Sequence, residues 1–273
     1  MDLFLQFAGP AVAGVFVGVM SGLLGVGGGT IMVPIFRLAF GMSPMASTAT
    51  SLFAIIPTSI SGVASHTRAK TCVPKLGVAL GLGGAVMSPV GVWLASVSPG
   101  WMVILVAALV IGFSAYKMFK KAMAAPKRAQ NKGGAKAKQP VPAQPELSRK
   151  QLLQGAGIGL VAGLASGYVG VGGGFIMVPM MLAILSIPMS LASGTSLIAI
   201  MILAIPGVVE QAILGNINYF AGISIVVGTI PGAWLGARLV RVVPERQLRF
   251  AFGGFLLVAA VMLMLNEFGI LGS

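Results

Sequence analysis

The sequence predicts an all-α polytopic membrane protein built from two inverted-topology repeats, each a glycine-broken helix hairpin plus three transmembrane helices. Three observations predict it. The chain is 57% hydrophobic and only 8% charged, with a mean hydropathy of +0.98, whereas soluble domains carry about 25% charged residues. Apolar runs of roughly 18–25 residues recur along most of its length, as bilayer-spanning helices require. Finally, the stretch Ser21–Pro34 returns as Ser166–Pro179 with 11 of 14 positions identical, an offset of 145 that holds without a gap well outside the motif. Gly14 and Gly18 match Gly159 and Gly163, Thr50-Ser51-Leu52 matches Thr195-Ser196-Leu197, and Gly62, Gly91 and Pro99 match Gly207, Gly236 and Pro244.

Taken in order, residues 9–24 form the first apolar helix. Gly25-Val26-Gly27-Gly28-Gly29 then interrupts it, because glycines weaken a helix and expose backbone amides. A short apolar piece follows from Thr30 to Phe40, with Pro34 in its first turns, and Gly41-Met42-Ser43-Pro44 is a turn. Three longer segments are expected at 48–66, 74–96 and 100–119. Residues 120–150, rich in Lys, Ala, Pro and Gln, read as a flexible linker. The second copy runs at 151–169, 175–187, 191–213, 219–241 and 246–266. The resulting division is a first repeat at 1–119, a basic linker at 120–150 and a second repeat at 151–273. The N-terminus Met1-Asp2-Leu3-Phe4 lacks the basic start of a signal peptide, so the first apolar run is expected to be retained.

The net charge of +13 does not point to nucleic acid. Ten Lys/Arg and one Glu lie between Lys117 and Lys150, so that segment alone carries +9. A basic loop between membrane segments normally reports orientation. The Arg68–Lys75 loop of copy one is basic while its match, Ile213 to Phe220, is uncharged. Conversely the uncharged Val97–Trp101 turn matches a turn bearing Arg238, Arg241, Arg246 and Arg249. This exchange of positive ends is what two copies inserted in opposite directions show. With all basic loops inside, each glycine motif sits at the tip of a hairpin and both termini fall outside.

Two such hairpins entering from opposite faces follow the binding-site design of inverted-repeat transporters. A helix that restarts after a break presents unpaired N–H groups and the positive end of its dipole, which bind anions. Gly27, Gly28, Gly29, Gly172, Gly173 and Gly174 are therefore candidate substrate ligands; the alternative is that they serve only tight packing. Thr50, Ser51, Thr195 and Ser196 either complete an anion shell or bond back to a carbonyl one turn earlier. Glu210, the one acid read at membrane depth, is a candidate proton-coupling group or reaches the interface. His66 reads as an interfacial residue, Arg37 as a snorkelling side chain, Asn216 and Asn218 as turn residues, and Cys72 as an inert loop thiol.

A single histidine, five acids and a single cysteine leave little material for a hydrolase or metal centre, and no Walker motif is present. No enzyme activity, cofactor or metal is expected; the expected partners are a small anion and membrane lipid, with no nucleic acid. Nothing in the sequence reports oligomeric state. The doubled Gly-Val-Gly-Gly-Gly-x-Ile-Met-Val-Pro, the Ala49–Ser51 and Gly194–Ser196 triplets and the basic mid-chain loop resemble the TauE/SafE sulfite exporter family. That resemblance implies a bacterial inner-membrane secondary transporter exporting sulfite, sulfoacetate or a related organosulfonate by alternating access, with proton coupling as a possibility. It does not extend to Glu210. An importer or permease for another small organic anion, and an anion channel, are the alternatives.

Overall fold

The computed structural model describes residues 2–124 and 147–267, so most of the predicted linker lies outside the described residues. Ten helices and no strand are found among the described residues: α1 (Asp2–Leu24), α2 (Gly29–Phe40), α3 (Pro44–Arg68), α4 (Pro74–Val97), α5 (Gly100–Ala124), α6 (Arg149–Val169), α7 (Gly174–Ile184), α8 (Met189–Ile213), α9 (Tyr219–Leu239) and α10 (Glu245–Glu267). Six helices are long and apolar enough to cross a membrane, and two shorter apolar helices, Gly9–Leu24 and Gly174–Ile184, belong to the broken hairpins. The protein is a multi-pass membrane protein.

Several boundaries move from those expected, for local reasons. Helix α3 begins at Pro44 rather than 48, because Ser43 caps it by accepting from the Ala46 amide at 3.2 Å and Pro44 suits the first turn. Ser148 and Gln151 form a capping box that starts α6. Asn218, expected as a turn residue, is the N-cap of α9 and accepts from the Ala221 amide at 3.1 Å.

The two copies interlock. Helix α1 packs chiefly on α9 of the other copy, and α6 correspondingly on α4. Both seams are lined with glycine. A Cβ added at Gly14, Gly18 or Gly22 would strike carbonyl oxygens of Ile225, Thr229 and Ala233, while one added at Gly159, Gly163 or Gly167 would strike those of Leu80, Gly84 and Ser88. In lipid, where apolar burial does not drive helices together, such backbone-to-backbone approach supplies the association. The rising residue numbers on both sides show that α1 runs parallel to α9 and α6 parallel to α4.

Helix α3 also runs parallel to α9. Thr58 Oγ1 lies 2.6 Å from Thr229 Oγ1, Ser61 Oγ donates to Ile230 O at 2.6 Å, and Ser65 Oγ donates to Trp234 O at 3.0 Å. By the same criterion Gly77, Gly81 and Gly84 meet Ile198, Ile202 and Leu203, so α4 and α8 are parallel. Helices α5 and α10 pack on each other, with the Phe119 and Phe250 rings 6.1 Å apart.

Candidate substrate site at the glycine tips

The two glycine motifs meet. A Cβ at Gly29 would lie 2.7 Å from Val171 O, and one at Gly174 would lie 2.8 Å from Val26 Cα. Side chains of Ile55 and Ile200, themselves related by the 145-residue offset, lie over the contact: Ile200 Cγ2 would be 3.1 Å from a Cβ at Gly27, and Ile55 Cδ1 3.0 Å from one at Gly172. Residues 21–30 and 166–175 are all buried.

The backbone turns through the tips in a form that glycine alone adopts without strain. Gly27, Gly28, Gly172 and Gly173 have φ of 82, 84, 83 and 72°, a region that costs other L-residues about 1–2 kcal/mol each. Helices α2 and α7 start directly afterwards, with Gly28 and Gly173 as N-caps that offer no side-chain acceptor. The amides of Gly27, Gly28, Gly29 and Thr30, and of Gly172, Gly173, Gly174 and Phe175, donate to no acceptor among the described residues. Each tip thus carries the unpaired donors and positive dipole end of a helix start inside a buried region.

Buried hydroxyls accompany them. Ser21 and Ser166 are fully buried, and neither hydroxyl has a hydrogen-bond partner. Their Cβ atoms lie 3.6 and 3.4 Å from where a Cβ would stand on Gly28 and Gly173, so both are at the tips. Thr30 and Ser51 are likewise buried without a partner. An orphaned buried hydroxyl costs on the order of 1–3 kcal/mol, and a native structure carries few of them. Ser21, Thr30 and Ser166 are missing from the sequence-derived candidates. The signal for two of them was present: both copies of the motif open on Ser.

The repeated Thr-Ser pairs divide in role. Thr195 Oγ1 accepts from the Val73 amide at 2.9 Å and donates to Leu191 O at 2.6 Å. Its counterpart Thr50 accepts from the Asn218 amide at 3.0 Å. Each threonine therefore holds the start of a helix belonging to the other copy. Ser196 Oγ lies within hydrogen-bond distance of Gly25 O (2.6 Å) and Ser193 O (2.8 Å), tying α8 to the first tip, whereas its counterpart Ser51 has no partner. Phe175 replaces Thr30 in the second copy, so of Ser21, Thr30, Ser51 and Ser166 three come from copy one; Ser47, Ser59 and Ser88, also of copy one, are buried without a partner as well.

His66 lies in the last turn of α3 and is fully buried against its neighbours. Its Nε2 lies 2.8 Å from Gly22 O in the last turn of α1, its Nδ1 lies 2.7 Å from Thr71 Oγ1, and its ring packs where a Cβ on Gly194 would stand. The second copy places Gln211 and Asn216 at these positions, bonded to each other at 2.8 Å. Asn216, read as a turn residue, thus anchors the end of α8. Glu210 sits in the last turn of α8, and its Oε2 is buried without a partner. It stands ten residues beyond Ile200, about 15 Å along the helix, so it does not touch the tips. Arg37 lies in the last turn of α2. Cys72 is buried between α3 and α4, its Sγ 3.8 Å from Thr67 Oγ1, and burial pushes the thiol pKa up. Among the described residues no group of three or more His, Cys, Asp or Glu is placed to hold a metal.

Comparison with known proteins agrees on the family. The family model described as sulfite exporter TauE/SafE matches residues 11–263. The chain is 28% identical over 247 residues to the probable membrane transporter protein YunE of Bacillus subtilis (strain 168), covering 86% of this chain and 87% of that one. It is 28% identical to the probable membrane transporter protein YdhB of the same organism, covering 86% and 90%, and 26% identical to YjnA, covering 92% and 97%. No solved structure matches significantly.

Proposed function

The chain belongs to the sulfite exporter TauE/SafE family, and from that premise we propose that it is a secondary transporter exporting a small sulfur-containing anion by alternating access. One observation carries the reading. Two helix starts from the two copies meet in a buried region, bringing together unpaired amides and unpartnered hydroxyls. Such a site supplies hydrogen bonds and dipole to an anion without a fixed counter-charge, which permits release as well as binding. Sulfite, sulfoacetate and other sulfonates offer the several acceptor oxygens these donors need. In this reading Gly27, Gly28, Gly29, Gly172, Gly173 and Gly174 contribute backbone, and Ser21, Thr30, Ser51 and Ser166 contribute hydroxyls. Thr50, Thr195 and Ser196 hold the helices in place.

The inverted arrangement of the repeats is part of the proposal. Helices α3 and α4 are joined by a short loop, as are α8 and α9, and α3 runs parallel to α9 while α4 runs parallel to α8. Those relations support copies of opposite direction, in keeping with the swapped basic loops. The moving bodies are then cross-copy bundles, α1–α3–α9 against α6–α4–α8, rocking about the glycine tips. Burial of residues 21–30 and 166–175 means that an anion reaches the site only when the bundles part. We assign the protein to a bacterial inner membrane, with 120–150 cytoplasmic and both termini outside.

The test is exchange in proteoliposomes preloaded with sulfite, sulfoacetate, taurine or a dicarboxylate, with and without a pH gradient. Saturable exchange of a sulfur anion is expected, weakened about tenfold or more in Ser21→Ala/Ser166→Ala if both hydroxyls donate to it. Exchange of the dicarboxylate alone would reject the substrate class. Dependence on the pH gradient, lost in Glu210→Gln, is what a coupling role for Glu210 requires.

A further inference from the structure

His66 closes the end of the first half-helix. Gly22 O lies in the last turn of α1 and receives no backbone amide among the described residues, as helix ends leave carbonyls open. A carbonyl only accepts, so His66 Nε2, 2.8 Å away, carries a hydrogen. In the neutral ring Nδ1 then accepts from Thr71 Oγ1 at 2.7 Å. The ring is wedged against α8: a Cβ on Gly194 would lie 2.8 Å from its Cγ and Nδ1, and would strike Thr71 O as well. Two residues further along α8, Ser196 is bonded to Gly25 O. One imidazole thus joins the approach to the first glycine tip, the 69–73 loop and α8, where the two cross-copy bundles meet.

No carboxylate faces the ring to balance a charge on it. The charged groups on the elements around it are Arg68 on α3, Lys70 in the loop, Lys75 on α4 and Arg238 on α9, all cationic. Helix α1 carries only Asp2, at its other end, and α8 only Glu210, 16 residues beyond Gly194 and about 24 Å along the helix. The other titratable neighbour, Cys72, lies against Thr67 Oγ1. Thr71 can turn its hydrogen to His66 O at 3.4 Å and accept from an imidazolium. The hydrogen bonds therefore survive protonation, but the charge is left buried and unpaired. Water relieves it only where the ring leaves Gly22 and Gly194. The second copy has no such conflict: Gln211 and Asn216 make the matching side-chain bond with uncharged amides, and Ala49 stands at the position matching Gly194.

We propose that His66 is a proton-operated latch on the first glycine tip. Neutral, it locks the end of α1 to the 69–73 loop and α8; protonated, it lets go. The ring is fully buried, so a proton stays on Nδ1 only in the open form, and protonation and opening are linked. A hydrated imidazole takes up its proton near pH 6.5. Opening is therefore favoured about tenfold by each pH unit below that value and is insensitive to pH above it. In transport, where the inference rests on the alternating-access reading, His66 is a positioning residue. A fall in pH on the face of Arg68 and Lys75 favours parting of the bundles there.

The experiment is amide hydrogen exchange on the detergent-solubilised full chain at pH 7.5 and 5.5, corrected for the intrinsic pH dependence of exchange. The Gly25 amide, bonded to Ser21 O at 2.8 Å, reports the end of α1, and the Thr71 amide, bonded to His66 O at 3.0 Å, reports the loop. Both protection factors are expected to fall about tenfold between the two pH values in the wild type. In His66→Gln/Thr71→Asn, which installs the uncharged pair of the second copy, they should change less than about twofold. Equal falls in both proteins, or no fall in the wild type, would overturn the proposal. If the variant does not fold, the wild type still decides. His66 is the single histidine, so a nitrogen spectrum shows one imidazole, expected as the Nε2–H form at pH 7.5. The Nδ1–H form, which cannot donate to Gly22 O, would overturn the latch. Absence of sulfoacetate exchange by a chain that shows the pH-dependent protection would reject the transport reading and leave the latch standing.

Discussion

Replacing Thr195 by Val separates a helix-holding role from a ligand role. The two side chains have nearly the same shape, so the substitution removes one hydroxyl and little else. That hydroxyl accepts from the Val73 amide at 2.9 Å, and Thr195 and Val73 are 0% and 4% exposed. Water cannot replace the lost acceptor, so the variant leaves a buried amide unpaired at a cost of about 1–3 kcal/mol. The bond to Leu191 O adds little, because that carbonyl also accepts within the helix. A loss of this size raises the local opening constant about 5- to 150-fold, which hydrogen exchange of the Val73 amide reads directly. Thr50→Val is the internal control: it strands the Asn218 amide, but Asn218 is an exposed residue, so water compensates and the cost should stay below about 1 kcal/mol. Anion affinity measured on the folded fraction should change in neither. A Thr195→Val protein with unaltered exchange at Val73 but lost sulfite binding would refute the reasoning and return Thr195 to the substrate shell.

Two further outcomes follow from the packing. Gly163→Leu puts a Cβ 2.5 Å from Gly84 Cα, so α6 and α4 must separate; a loss of about 1–3 kcal/mol or more should appear as a lower melting temperature and reduced folded yield. Gly157→Leu, where nothing lies within 4 Å of the new Cβ, should be neutral or slightly stabilising. Cys72, whose buried thiol has a raised pKa, should react slowly with maleimide at pH 7. Its rate should rise about tenfold per pH unit until that pKa is reached, because only the thiolate attacks. A rate at pH 7 equal to that of an exposed thiol peptide would contradict the burial.

The helices were legible because each is bounded by chemistry local to it. Apolar length set the spans, Gly25–Gly29 and Gly170–Gly174 set the breaks, and most ends fell within a few residues of those expected. The start of α1, at Asp2 rather than 9, was the largest miss, and Ser43 with Pro44 was a capping signal read as a turn. Doubling of the glycine motif also pointed to the tips, since a backbone requirement stated twice in one chain is a strong local signal. The burial of His66 was not legible, because it comes from Gly22 and Gly194, 44 and 128 residues away in sequence.

Composition, apolar length and the 145-residue repeat were enough to determine an all-helical membrane protein of two related halves with two broken hairpins. These properties depend on neighbours in the chain or on the bilayer, and both act on local sequence. Which helix packs on which was decided only in three dimensions. The glycine stripes of α1 and α6 could have met any helix with a matching groove, and they close on α9 and α4 of the opposite copy. So too with the hydroxyls: Thr195 and Ser51 look alike along the chain, yet one is spent on the Val73 amide and the other is left unpartnered. A hydrogen bond is settled by which donor arrives within 3 Å, and in this fold the donors arrive from the other half of the molecule.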